Sequence, residues 1–243
     1  MTSDEKQSRL PEPRGPRSSE IYSRSSLITR HSSLFLASSN PGKLREFRGA
    51  AAARGVTVEA LPRFDELTLC VEDGTTFEEN ASKKAIYYSR NSPEWVFADD
   101  SGISVDVLDG APGIYSARFA GDLATDEQND ERLLEEIHRV EAMRRAQAAT
   151  SPRPHGLFNR AAHYVCVIAL AQAGQVLTVV EGRADGVIID EPRGAGGFGY
   201  DPYFFYPPMG KTFAEILPEE KFAVSHRGAA FRKLLDYLCA PGQ

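Results

Sequence analysis

Leu34-Phe35-Leu36-Ala37-Ser38-Ser39-Asn40-Pro41-Gly42-Lys43 is the stretch that decides the fold of this chain of 243 residues. Its first four residues form a short apolar run, which is typical of a buried β-strand, and the Asn-Pro-Gly sequence predicts a tight turn. A helix is predicted to follow over Lys43–Arg54, with Gly55 as its stop and three apolar residues on one face, Leu44, Phe47 and Ala51. A strand that leads into a helix in this way is typical of α/β proteins.

Strands and helices are predicted to alternate over the rest of the chain. Capping-box sequences at Thr76–Glu79 and Thr125–Gln128 begin two further helices, and a last helix is predicted over Gly228–Cys239. Apolar runs predict the remaining strands, at residues 56–60, 95–98, 103–107, 164–171, 175–184 and 187–189. The strands at 164–171 and 175–184 are expected to form a hairpin across Ala173-Gly174. The polar residues 99–102 are expected to form a turn and residues 141–160 a loop. The pattern therefore predicts an α/β fold with a mixed sheet.

The composition restricts the class of protein and its partners. With 42% hydrophobic residues, the chain can form one soluble domain, or two closely joined lobes, around a substantial core. The net charge of −6 provides no general field that would attract nucleic acid, so a polyanionic substrate has to be held by local cations. No apolar run approaches the roughly 20 residues needed to cross a bilayer, so no membrane partner is expected.

The cysteines and the N-terminal segment bear on location. Cys70, Cys166 and Cys239 are scattered without metal spacing, which predicts reduced thiols in the cytoplasm. Residues 1–33 are rich in Ser, Arg, Pro and Glu and poor in large apolar side chains, so they are predicted to be a disordered extension before a domain at 34–239. The acidic residues of this extension argue against a transit peptide.

The turn before the first helix is the first candidate site. Backbone N–H groups at a helix N-terminus favour phosphate, and the predicted phosphate contacts are Ser38, Ser39, Asn40, Pro41, Gly42 and Lys43. The Walker A spacing is absent. An ordinary Asn-Pro-Gly turn is the alternative explanation.

Paired acids form the second candidate site. Asp99 and Asp100 are expected at the end of an apolar strand, where α/β proteins bind ligands and where carboxylates suit Mg²⁺ or accept a proton from water. A solvated Asp-Ser-Gly turn is the alternative. Glu72 can complete a metal site, whereas Glu78 and Glu79 are better explained by the start of a helix.

Two later stretches combine aromatic, acidic and basic residues. Residues 196–202, Gly-Gly-Phe-Gly-Tyr-Asp-Pro, offer close backbone approach, a stacking face and an acceptor. Lys221 and the Ser-His-Arg-Gly stretch at 225–228 offer donors for an anion or a base edge. For residues 196–202, the alternative is a glycine-rich loop whose aromatic side chains pack into the core. For Lys221 and residues 225–228, the alternative is a set of solvated surface residues.

Six motifs in order resemble the inosine triphosphate pyrophosphatase family, which acts on non-standard purine nucleoside triphosphates. They are Ser-Asn-Pro-Gly-Lys-Leu-Arg-Glu-Phe (39–47), Thr-Phe-Glu-Glu-Asn-Ala (76–81), Ala-Asp-Asp-Ser-Gly (98–102), Gly-Ala-Pro-Gly-Ile-Tyr-Ser-Ala-Arg (110–118), Gly-Gly-Phe-Gly-Tyr-Asp-Pro (196–202) and Ser-His-Arg-Gly (225–228). The resemblance covers nearly all of the chain from Leu34 to Leu238. The N-terminal extension and the long segment 141–160 depart from the family pattern.

The resemblance implies an elongated mixed sheet flanked by helices, with two lobes and the active-site cleft between them. It also implies that the activity depends on Mg²⁺ and that the protein forms a homodimer. It implies hydrolysis to the monophosphate and pyrophosphate, with Asp100 as general base and Lys43 at the leaving pyrophosphate. Glu72 and Asp100 become the metal ligands, with Asp73 as a substitute for Glu72. The remaining residues implied to bind the nucleotide are Ser101, Phe198, Gly199, Tyr200, Asp201, Lys221, His226 and Arg227.

Two other readings of the motifs stay open at this point. A Maf-type pyrophosphatase for modified pyrimidine nucleotides shares the turn at 38–43 but does not predict the motifs at 196–202 and 225–228. A non-catalytic nucleotide-binding module keeps the glycine-rich loop but has no need of Asp99 and Asp100 beside a metal site.

Overall fold

The computed structural model describes residues 33–52, 54–90, 92–149 and 159–239. The predicted disordered extension lies outside the described residues except for Ser33, which begins the first strand. Most of the C-terminal half of the predicted loop at 141–160 also lies outside them. No helix in the described part of the chain is long and apolar enough to cross a membrane.

A seven-stranded mixed sheet forms the centre of the fold, in the order β2-β1-β3-β4-β5-β6-β7. The first strand runs parallel to its two neighbours, β2 and β3, and every other pair is antiparallel. The predicted α/β fold with a mixed sheet is confirmed, while the division into two lobes stays a prediction. The strands are β1 Ser33–Leu36, β2 Thr57–Ala60, β3 Trp95–Val105, β4 Ala161–Gln172, β5 Gln175–Ile188, β6 Phe204–Tyr206 and β7 Lys211–Thr212.

Five α-helices accompany the sheet within the described residues: α1 Pro41–Ala52, α2 Phe77–Ser89, α3 Asp126–Ala149, α4 Pro218–Val224 and α5 His226–Cys239. Both predicted helix starts are confirmed. The Thr76 hydroxyl accepts from the Glu79 N–H at 3.1 Å, and Thr125 and Gln128 bond each other reciprocally. Helix α1 buries Phe47 and Ala51 as predicted.

Residues 99–102 do not form the predicted turn, because β3 is one continuous strand from Trp95 to Val105. Its pairing with β4 is unbroken from Val96 opposite Ala171 to Val105 opposite Ala162. Acidic side chains are tolerated inside a central strand when each has a buried partner. Side chains alternate along a strand, so Asp99 and Asp100 lie on opposite faces of the sheet.

Residues 141–149 do not form the predicted loop, because α3 continues to Ala149. This segment is rich in the strong helix formers Ala, Arg, Met and Gln, which the small and polar character of its side chains obscured. Glu141 is buried and pairs with Arg160 at 2.6 Å at the start of β4. Helix α4 and the short strands β6 and β7 were not predicted, since they are too short to show a period.

The hydrophobic core divides around β3. On one face Phe97 packs with Phe47 of α1 and Phe231 of α5, and farther along the same strand Ile103 packs with Leu133 of α3. On the other face Ala98 belongs to a separate cluster with Ala81 and Ala85 of α2. Asp99 therefore lies between two apolar clusters, and Asp100 lies beside α2.

Candidate active site

The predicted site residues surround one cavity of about 430 Å³. It lies where α1, β3, the loop before β6 and the α4–α5 junction meet. Three predicted residues are missing from its wall: Pro41, Gly42 and Asp100 adjoin it instead. The predicted residues that line it are Ser38, Ser39, Asn40, Lys43, Glu72, Ser101, Phe198, Gly199, Tyr200, Asp201, Lys221, His226 and Arg227.

The turn at 38–43 is organised by Asn40, which caps α1. Its Oδ1 accepts from the N–H groups of Gly42 at 2.8 Å and Lys43 at 3.2 Å. Two of the N–H groups expected to bind phosphate are therefore already satisfied, because an N-cap side chain takes the donors that a helix start leaves over. The side chains of this turn, rather than these N–H groups, are what it presents to the cavity.

Cations of the site converge on Asp99. Its Oδ2 lies 2.8 Å from Lys43 Nζ and 3.8 Å from Arg227 Nε, and the residue is almost fully buried. Burial raises the pKa of Asp99, but Lys43 and Arg227 more than offset this and hold the pKa below its usual value. The Oδ1 atom of Asp99 has no hydrogen-bond partner in the described chain.

Asp100 faces α2 and is held by two of its residues. Lys84 Nζ lies 3.1 Å from Asp100 Oδ1, and Asn80 Nδ2 donates to Asp100 Oδ2 at 3.3 Å. Burial raises the pKa of Asp100 above its usual value, and Lys84 offsets only part of this shift. A carboxyl with a raised pKa is a better proton acceptor than an exposed one, which suits a general base.

Glu72 contacts the same lysine, with Lys84 Nζ 2.9 Å from Glu72 Oε2. Glu72 and Asp100 thus converge on one positive charge. Asp73, the substitute ligand, is exposed and pairs with Lys83 instead. The geometry therefore favours Glu72 over Asp73 as the partner of Asp100.

The acid pair fits a Mg²⁺ ion that is also bound by substrate. Among the described residues no group of three or more His, Cys, Asp and Glu side chains is arranged to hold a metal. Mg²⁺ is commonly held by one or two carboxylates together with substrate phosphates and water, so two converging acids meet its requirement. Both acids already share a cation, the Lys84 ammonium group.

Phe198 also lines the cavity, and its ring lies beside Gly42 of the turn at 38–43. Its ring centroid is 5.2 Å from Lys221 Nζ and 5.2 Å from the Arg227 guanidinium carbon. Asp201 fixes the base of this loop, accepting from Phe198 N at 2.9 Å and pairing with Lys221 at 2.6 Å. A flat aromatic ring flanked by donors can stack on and read a heterocyclic base.

Arg227 and Lys221 are held by one acid of α1. Glu46 accepts from Arg227 at 2.6 Å and from Lys221 at 3.3 Å, and Arg227 also donates to Ser101 Oγ at 3.1 Å. Burial raises the pKa of Glu46, but the two cations outweigh it and lower the pKa below its usual value. Arg227 is therefore part of a buried network and also faces the cavity.

His226 is buried and stacks on the Tyr164 ring at 4.5 Å between centroids. Burial, together with the neighbouring Arg227 and Lys221, lowers the pKa of His226 well below its usual value. The imidazole is therefore neutral at pH 7. Its Nδ1 is buried and has no hydrogen-bond partner among the described residues.

A family model described as the Ham1 family matches residues 34–152 and 154–237. The chain belongs to the Ham1 family. This match, together with relatives named dITP/XTP pyrophosphatase, confirms the family resemblance inferred from the six motifs.

Ham1 family relatives match over most of their length. A dITP/XTP pyrophosphatase of Geobacillus kaustophilus is 43% identical over 201 residues, covering 83% of this chain and 91% of the relative. One from an Exiguobacterium species is 45% identical over 202 residues, covering 83% and 94%. A solved HAM1 protein from Coxiella burnetii has a TM-score of 0.70 and 34% identity, covering 85% of this chain and 98% of that one.

Residues of this Ham1 site that the sequence motifs did not indicate include Glu46, Asn80 and Lys84. Asn80 and Lys84 are four residues apart and so share one helix face. These two polar residues lie next to the buried alanines Ala81 and Ala85 on the same helix. Polar residues at this position in the sequence were the available sign that the helix contributes to a polar site. Glu46 gave no such indication, since exposed acids are common on amphipathic helices.

Proposed function

We propose that this Ham1 family protein hydrolyses nucleoside triphosphates with a non-standard purine base, such as inosine, deoxyinosine and xanthosine triphosphate, to the monophosphate and pyrophosphate. One observation carries the proposal: a single cavity brings together the charged side chains of Lys43, Lys84 and Glu72 and the aromatic ring of Phe198, and Asp100 adjoins it through its contact with Lys84. The names of the relatives support the same activity.

At the phosphate end, Lys43 and the serines of the turn bind the triphosphate. Asp100 orients the attacking water and accepts its proton, a role for which its raised pKa suits it. Lys43 neutralises charge on the departing pyrophosphate. Glu72 and Asp100 would hold Mg²⁺, which when bound neutralises charge on phosphate oxygens.

At the base end, Phe198 stacks on the purine, and Arg227 and His226 offer polar groups to its 6-oxo side. Adenine presents an amino group at that position, where a protein donor finds no acceptor. A site of this kind can reject a mismatched base by up to ~10⁴-fold. Tyr200, Asp201 and Lys221 fix the surrounding walls, and Ser101 orients Arg227.

Assembly and location belong to the same proposal. We propose a homodimer, as the family resemblance implies, and a cytoplasmic location, supported by the free thiols of all three cysteines. Sedimentation at several protein concentrations tests the dimer.

Pyrophosphate release in the presence of Mg²⁺ tests the activity. Inosine and xanthosine triphosphates should be cleaved much faster than adenosine and guanosine triphosphates, and ribose and deoxyribose forms alike. Asp100→Asn should abolish turnover and leave nucleotide binding largely intact, whereas the control Asp73→Asn should stay near wild type. Cleavage of modified pyrimidine nucleotides alone would favour the Maf-type alternative, and binding without turnover a non-catalytic module.

A further inference from the structure

Residues 198–200 of the aromatic loop, which spans residues 196–202, donate three hydrogen bonds that restrain it. Within the loop, Phe198 N donates to Asp201 Oδ2 at 2.9 Å. Two others attach it to the segment that follows β3: the Tyr200 hydroxyl donates to Ser116 O at 2.7 Å, and Gly199 N donates to Asp126 Oδ2 at 2.7 Å. The last of these joins residues 73 positions apart and has no part in the function proposed above.

Asp126 is suited to this contact by its place at the first residue of α3. The positive end of a helix dipole stabilises a carboxylate at that position. A charged acceptor makes a shorter and stronger hydrogen bond to an N–H group than a neutral one does. The side chain also lines the same cavity as Phe198.

Phe198 needs such a restraint because it stands between two pivots. Gly197 has φ +77° and Gly199 has φ +57°, values in the left-handed region that glycine adopts without strain. Glycine also adopts other conformations readily, so the peptide planes on both sides of Phe198 are not fixed by their own side chains. The hydrogen bonds to Asp201 and Asp126 fix those two planes.

We propose that Asp126 is a positioning residue for the purine base, which acts by holding Gly199 and so orienting the Phe198 ring over the cavity. This inference rests on the proposed base-stacking role of Phe198. The contact is not needed to keep the loop attached, because Tyr200 and Asp201 are buried and anchor its C-terminal end. Losing the Asp126 bond should therefore disturb the base end and leave the phosphate end intact.

The test compares Asp126→Ala, Asp126→Asn and a matched control, Glu127→Ala, the next residue of the same helical turn, which is exposed. Asp126→Ala should raise KM for inosine triphosphate about tenfold, the effect of one hydrogen bond to a charged acceptor. The inhibition constant of pyrophosphate, which probes only the phosphate end, should not change. Asp126→Asn should recover most of the loss, since its amide oxygen still accepts, and Glu127→Ala should match wild type.

Amide hydrogen exchange over residues 196–202 gives a readout independent of turnover. Exchange should be faster in Asp126→Ala than in wild type and Glu127→Ala. An unchanged KM, an equal weakening of pyrophosphate, or an asparagine variant no better than alanine would overturn the positioning role. If wild type does not cleave inosine triphosphate but exchange still responds, the proposed function fails and the restraint on the loop stands.

Discussion

Replacing Asp99 and Asp100 one at a time by asparagine should affect the stability of the protein differently: Asp99→Asn should lower it, and Asp100→Asn should leave it unchanged or raise it. The two residues are neighbours in sequence and both are buried, but they face different sides of the sheet. Lys43 and Arg227 hold the pKa of Asp99 below its usual value against the effect of burial, whereas burial raises the pKa of Asp100. Ionised Asp99 therefore stabilises the folded state, and ionised Asp100 destabilises it.

The size of the Asp99 effect follows from its partners. Removing one member of a buried ion pair costs about 3–5 kcal/mol. Arg227 keeps Glu46 as a second partner, and the asparagine oxygen still accepts a hydrogen bond from Lys43. We therefore expect the lower end, about 3 kcal/mol, which lowers Tm by roughly 6–12 °C in a chain of this size.

Asp100→Asn should leave stability unchanged or raise it. Lys84, the cation it would abandon, keeps Glu72 at 2.9 Å, so no buried charge is left alone. The substitution removes the cost of burying an ionised carboxylate while keeping the side-chain shape. Catalysis and stability thus separate at this position, since the same change should abolish turnover.

Urea denaturation of both variants across pH 3 to 8 measures these effects. The stabilisation by Asp99 is present above its unfolded pKa and is lost as pH falls through its lowered folded pKa, so the Asp99→Asn deficit should shrink in acid. The gain from Asp100→Asn should appear only as pH rises above about 4, where the unfolded chain ionises. If Asp100→Asn costs as much stability as Asp99→Asn at pH 7, the assignment of the two acids to different environments is wrong.

Three further predictions concern Arg227 of the site and two residues elsewhere in the fold. Arg227→Lys should fold more stably than Arg227→Ala, because the alanine variant removes the cation beside Glu46 at a cost of about 3–5 kcal/mol. The lysine variant should still lower the ratio of kcat/KM for inosine triphosphate to kcat/KM for adenosine triphosphate. An unchanged ratio would mean that Arg227 only neutralises acids. Gly182→Ala should lower Tm strongly in thermal melts, because its Cβ would overlap the backbone at the start of α5; a melt near wild type would show that α5 can shift. Asp130→Asn should raise the free energy of unfolding, since burial and nearby acids raise the pKa of Asp130 to about 8. In urea titrations the gain in free energy should grow from about pH 4 to pH 8 and then level off. A gain independent of pH would show that the ionisation of Asp130 is not its cause.

The fold was predictable where a local pattern had a single explanation. The strand-turn-helix at Leu34–Lys43 and the hairpin over Ala173-Gly174 occur as expected, the latter with both turn residues at positive φ. The α/β fold with a mixed sheet followed from these elements. Most of the predicted site residues line one cavity, whereas Pro41, Gly42 and Asp100 do not, and their roles stay predictions.

The sequence patterns misled where tertiary contacts override local preference. Asp99 and Asp100 have the composition of a turn, and only their partners, Lys43 and Lys84, make them acceptable inside a strand. Those partners come from two different helices, so no local window contains the information. The use of Asn40 as a helix cap was likewise hidden, because a phosphate-binding turn and a capped turn share the same sequence.

Asp99 and Asp100 lie on opposite faces of the sheet because they are consecutive residues of β3. Inserting or deleting a single residue before Asp99 would slip the register with β4 and exchange the faces, which would bring Asp100 towards Lys43 and Asp99 towards Lys84. Only a change of two residues restores the faces, and that would displace the acids along the sheet by about 7 Å. The chemistry of the site therefore depends on chain length here as much as on residue identity. Relatives are expected to vary in this strand by substitution at constant length, while the segments on either side of it are free to lengthen or shorten.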